Sequence, residues 1–99
     1  MKDEFIPRVG IWGQRHYQYL KETKPSVIGV MRMNGNLIPY LQSVDEQANE
    51  ICFQLVKQLA KQESVTEELK RRDQMAWVGA MNNIRDRVNE IVLSEVIFV

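Results

Sequence analysis

The sequence predicts an all-α fold: a long antiparallel helical hairpin with one or two short N-terminal helices packed on it. Three observations point there. Apolar residues at Leu37, Leu41, Val44, Ala48, Ile51 and Leu55 step by four, three, four, three and four, which is the spacing of one helix face. A second seam, Trp77, Met81, Ile84, Val88 and Ile91, steps by four, three, four and three. Between the two stretches lies only a short polar link around "KQES" and "SVTE", and a link that short returns the second helix antiparallel to the first.

Each element follows from local chemistry. Residues 1–10 read as an extended arm, because Pro7 disfavours helix at Ile6 and Gly10 interrupts next. Short helices fill 11–35. The first runs from about Ile11 to Thr23, with Trp12, His16, Tyr19, Leu20 and Thr23 at helical spacing, and Lys24-Pro25 breaks it. Pro25 suits the first turn of the next helix, Ser26 to Met33, where its missing N–H costs nothing. "NGN" at Asn34–Asn36 closes that helix, with Gly35 as a left-handed C-cap. A β-hairpin at "MNGNL" is the competing reading, since Asn-Gly is also a hairpin signal.

The first hairpin helix spans 36–63, with Asn36 as its cap and Pro39 in its first turn. Ile38, Cys52 and Leu59 widen its apolar stripe to the width of a bundle helix. The second hairpin helix spans 66–96. Ser64 with Glu67 has capping-box spacing, and Thr66 is the other cap candidate. No proline interrupts this helix, and Gly79 is its one weak point. The terminal "VIFV" either finishes it or frays into an extended tail.

Composition bounds the class. The chain has 99 residues, 44% hydrophobic and 26% charged, the profile of a single soluble domain. Net charge is zero, but residues 1–35 carry six basic and three acidic side chains, and the remainder carries seven and ten. That imbalance falls short of the strongly basic footprint of an autonomous nucleic-acid binder. A single cysteine, Cys52, permits no internal disulfide and fits a reducing cytoplasm. The opening MKDEFIPRVG has no signal-peptide core, and no stretch has the roughly 20 apolar residues of a membrane span. The expectation is a cytoplasmic, unprocessed protein with no membrane contact.

Little in the chain carries chemistry. One histidine and one cysteine leave little scope for a zinc site or a Cys–His nucleophilic pair, and His16 reads as a partly exposed helix residue while Cys52 reads as a small buried hydrophobe. Glu46/Glu50 and Asp86/Glu90 stand four apart, but a di-iron bundle also needs Glu-x-x-His motifs, and the sequence has none. Phosphate loop, nucleophile elbow and metal-ligand cluster are missing too. The expectation is a protein that is not an enzyme, with no catalytic residue, cofactor, metal or small-molecule substrate.

Basic side chains have the better claim. Arg8, Arg15, Lys21, Lys24 and Arg32 come interleaved with Trp12, Tyr17 and Tyr19, a mixture that can hold phosphates and stack on bases. Lys70, Arg71 and Arg72 form a second cluster, diluted by Glu67, Glu68 and Asp73. These eight are the candidate nucleic-acid-binding residues. The bland alternative makes the aromatics anchors onto the hairpin and pairs Glu67 with Arg71 and Glu68 with Arg72 on a solvated face.

Three stretches carry a family resemblance: "IWGQRHYQYLKETKP", "GNLIPYLQSVDEQANE" and "VTEELKRRDQMAWVGAMNNIRDRVNEIVLSE". Together they span about Gly10 to Glu95, and the chain resembles the TnpV family of small transposon-encoded proteins. The resemblance implies an accessory product of a mobile element that travels with a site-specific recombinase. It brings no catalytic residues. Trp12, Tyr19, Leu20, Tyr40, Leu41, Trp77 and Met81 match its pattern as packing residues; Asp73 and Gln74 match it as well, for an N-terminal helix contact or a buried hydrogen bond.

The functional expectation is therefore a non-enzymatic accessory protein of a bacterial transposon that assists or regulates recombination or excision by binding DNA or the recombinase. The alternative is a protein-interaction or homodimerisation module with no nucleic-acid role, which the apolar surplus at Val27, Ile28, Val30, Met31, Met33, Val56, Val78, Val92 and the VIFV tail supports.

Overall fold

The computed structural model of the protein describes residues 6–99. The first half of the expected arm, residues 1–5, lies outside the described residues. The rest of it is irregular but anchored. Ile6 and Val9 are buried. The Ile6 N–H donates to Gln14 Oε1 at 3.0 Å, and Gln14 Nε2 donates to the Val9 carbonyl at 3.0 Å. A glutamine on the first helix thus satisfies the backbone of the segment that precedes it.

Helices follow: α1 (Ile11–Thr23), α2 (Pro25–Asn34), α3 (Leu37–Gln62), α4 (Glu67–Arg72) and α5 (Gln74–Val92), ending in a π-helical turn at Leu93–Ile97. The described residues contain no strand, so the molecule is all-α. At "NGN", Gly35 takes φ 72°, and the N–H groups of Gly35 and Asn36 donate back to the Arg32 and Met31 carbonyls at 3.2 and 2.8 Å. Those bonds satisfy carbonyls that the end of α2 would otherwise leave free. The Asn-Gly pair therefore closes a helix and turns no hairpin. Asn36 precedes α3, but its side chain makes no capping bond.

The expected unbroken helix over 66–96 is corrected to two helices and a π turn. Thr66, not Ser64, caps α4, its hydroxyl accepting from the Leu69 N–H at 3.3 Å; Ser64 instead takes a left-handed φ of 59° in the connection. The break falls at Asp73 (φ −149°, ψ 87°), whose Oδ1 accepts from the Ala76 N–H at 3.1 Å and so caps α5. Aspartate offers the backbone an acceptor that competes with the helix. Gly79, the expected weak point, stays inside α5.

Two apolar clusters hold the helices together. One joins Ile6, Val9, Tyr17, Leu20, Ile28, Leu37 and Leu41, where the arm, α1, α2 and the start of α3 meet. The other joins Trp12, Val44 and Ala48 to Met81, Ile84, Val88, Val92 and Ile97. The α3 and α5 seams do meet, with one shift. Ile91 is 40% exposed and Val92 is fully buried. A straight helix drifts about 20° per heptad against a strict seven-residue repeat, so two heptads beyond Trp77 the inward position has passed to the next residue. The VIFV tail divides: Val96 and Ile97 finish the π turn, which presses the completely buried Ile97 beneath α1, while Phe98 and Val99 lie beyond it and are exposed.

Burial is uneven along the molecule. The radius of gyration is 17.0 Å, against about 13 Å for a compact domain of this length. From Asn49 to Ala80 no residue is buried.

Candidate interaction face and basic residues

The N-terminus of α1 is built across two helices. Its N-cap is Gly10, which has no side chain to offer. Asp45 of α3 supplies the acceptor instead: its Oδ1 takes the Trp12 and Gly13 N–H groups at 3.0 and 3.2 Å. A Cβ on Gly10 would overlap that carboxylate, and one on Gly13 would meet Val9 Cγ1 and the Leu41 carbonyl oxygen, the latter at 2.8 Å. Two small residues thus let α1 lie against α3.

His16 locks the far side of α1. It is 2% exposed, so the expectation of a partly exposed histidine is corrected. Its Nδ1 is 2.7 Å from the Ile97 carbonyl and its Nε2 is 2.8 Å from the Tyr40 hydroxyl. A carbonyl only accepts, so Nδ1 donates to Ile97, and in the neutral tautomer that this selects Nε2 accepts from Tyr40. Burial pushes the Tyr40 phenol above its ordinary pKa, which keeps that donor protonated. One histidine therefore ties α1 to α3 and to the π turn.

Beyond this clamp the α3–α5 pair carries apolar residues that are half-buried or exposed. Ile51, Cys52, Leu55, Val56, Leu59, Trp77 and Ala80 are half-buried, while Phe53 and Val78 are exposed. An open cleft of about 450 Å³ between the helices is lined by apolar Trp12, Cys52, Phe53, Val56 and Val88 and by polar Lys57, Arg85 and Asn89. Val78 and Arg85 are seven residues apart and share one stripe of α5. Lys57 Nζ lies 5.1 Å from the Phe53 ring centroid. The Cys52 thiol is pushed above its ordinary pKa by burial, so it stays a thiol in an apolar setting.

The basic candidates lie on several elements. Arg8 is exposed before α1, with a left-handed φ of 68°, and its carbonyl accepts from Gln42 Nε2 at 3.0 Å. Arg15 lies over the Trp12 ring at 5.2 Å. Lys21 is half-buried six residues further on, about 120° away around α1. Lys24 is exposed at the α1–α2 junction. Arg32 donates to the Tyr17 hydroxyl at 2.8 Å and covers its ring at 5.9 Å. On α4, Lys70 lies over Trp77 at 4.7 Å, Arg72 approaches Glu68 at 4.0 Å, and Arg71 is exposed. Three of the eight cations thus sit on aromatic rings of their own chain. Lys70, Arg71 and Arg72 adjoin in sequence in the last turn of α4.

The apolar face was partly readable: Val56 and Val78 stand out as surplus to the seams, whereas Phe53 does not fall on either seam and was missed. Among the described residues no helix is long and apolar enough to cross a membrane, and no three His, Cys, Asp or Glu side chains gather where they could hold a metal ion.

Comparison with known proteins gives one result. No curated protein and no solved structure matches the chain. Residues 1–97, beyond the 10–95 stretch that carries the motifs, match the family described as transposon-encoded protein TnpV. With nearly its whole length accounted for, the chain belongs to the TnpV family of transposon-encoded proteins.

Proposed function

We propose that this chain is an accessory protein of its transposon that assists or regulates recombination or excision without catalysing a step, and that it works by contacting protein. The observation that carries this reading is the apolar surface of α3 and α5, where Phe53 lines an open cleft and Val78 is exposed. Exposed contiguous apolar surface is costly in water and marks interaction sites. In this reading α3 and α5 run antiparallel. The packing of the two seams supports that, as does Ile97, beyond the end of α5, lying against the α1 histidine.

The test is a reconstituted recombination reaction containing the element's recombinase and transposon-end DNA, with and without this chain. Product yield changes when the chain is added, and Val78→Glu removes at least nine-tenths of that change. An unaltered yield overturns the reading.

DNA binding is the second reading, favoured by the excess of three positive charges over residues 1–35. It predicts anisotropy changes on transposon-end DNA that fall steeply as salt rises, because phosphate contacts release counterions. No change at low salt removes it.

A further inference from the structure

We propose that the α3–α5 face between Asn49 and Ala80 is the contact surface for a second copy of this chain. The proposal rests on reading that face as a protein-contact surface and names its first occupant.

A two-helix layer buries each seam residue from one side only. That is the state of Ile51, Leu55, Leu59 and Trp77, all half-buried, in a stretch with no buried residue at all. Helical bundles complete such a layer with two further helices, and a second copy brings two with the same seam. A compact monomer of this mass exposes about 5,800 Å², whereas this chain exposes 6917 Å². The excess, roughly 1,000 Å² over the whole chain, leaves room for the ~800 Å² per partner that a standard interface covers.

Charge supports the same occupant. The segment from Asn49 to Ala80 carries Lys57, Lys61, Lys70, Arg71 and Arg72 against Glu50, Glu63, Glu67, Glu68 and Asp73. It is neutral, so two copies meet without net repulsion, and it offers a polyanion no net attraction. A two-fold interface must be self-complementary. The exposed ring of Phe53 lines the open cleft together with Cys52 and Val56, so each copy presents the same apolar site to the other.

The experiment is sedimentation velocity and light scattering on the full chain across a hundredfold range of concentration. The expected mass rises to twice 11.6 kDa. Phe53→Glu and Val78→Glu, at positions 58% and 41% exposed in the single chain, weaken pairing at least tenfold with unchanged helical circular dichroism. Met33→Glu, 87% exposed on α2, leaves the mass at the doubled value. A single-chain mass at every concentration overturns the proposal, as do assemblies of three or more copies, or doubled mass in both face variants. A single-chain mass combined with an altered recombination yield would sink the self-pairing and leave the protein-contact reading standing.

Discussion

Asp45 supplies α1 with an acceptor that its glycine N-cap lacks. Removing a helix cap costs about 1–2 kcal/mol, and Asp45→Ala should lower the unfolding free energy by that amount in urea titration. His16 offers a second test. Tyr40→Phe keeps the ring and deletes the hydroxyl that donates to buried Nε2; leaving a buried acceptor unpaired costs about 1–3 kcal/mol, read as a drop in urea midpoint with unchanged slope. Neither arrangement is visible in sequence. Asp45 lies 33 residues from Trp12, and Ile97 lies 81 residues from His16. Helical periodicity marks which residues face inward, but it carries no information about which polar atoms will meet there.

At the scale of elements, the helices were legible because their cause is local. The Pro25 start, the Gly35 stop and the α3 seam all stand where spacing and capping chemistry put them. The Asp73 break was not read, because the sequence lacks a proline or glycine at that point and the interruption depends on one carboxylate turning back to Ala76. Asp73→Ala should cost about 1 kcal/mol through loss of the α5 cap, measured by thermal or urea unfolding. A second element-scale test uses pH. The hydrogen bond from Arg87 at 2.8 Å holds the Glu63 carboxyl below its ordinary value of 4.5. A carboxyl lowered by folding stabilises the native state fully above its unfolded pKa and loses that contribution as pH falls through the lowered one. Glu63→Gln should therefore reduce Tm slightly at neutral pH and match the parent in strong acid. The effect is small because both side chains are about two-fifths exposed.

For the molecule as a whole, the sequence revealed that two helical seams exist and meet, yet not how far the α1 and π-turn layer would extend over them. Full burial stops at Ala48 and Met81, and the residues of the far half of α3 and the start of α5 are half-buried or exposed. Nor do residue types alone reveal that Arg15, Arg32 and Lys70 rest on Trp12, Tyr17 and Trp77. If the uncovered half pairs with a second copy, stability becomes a function of concentration by mass action. Tm should rise with protein concentration in the parent and stay flat in Phe53→Glu; a flat parent would contradict the pairing.

The bond between the His16 ring and the Ile97 carbonyl also constrains how the chain comes into being. A ribosome builds α1 early and reaches the π turn only 81 residues later. Throughout that interval the nascent imidazole faces water or a temporary neighbour, and α1 lacks the floor on which it finally rests. Translation that stops short of Ile97 would release a chain with both seams made and their fastening left open.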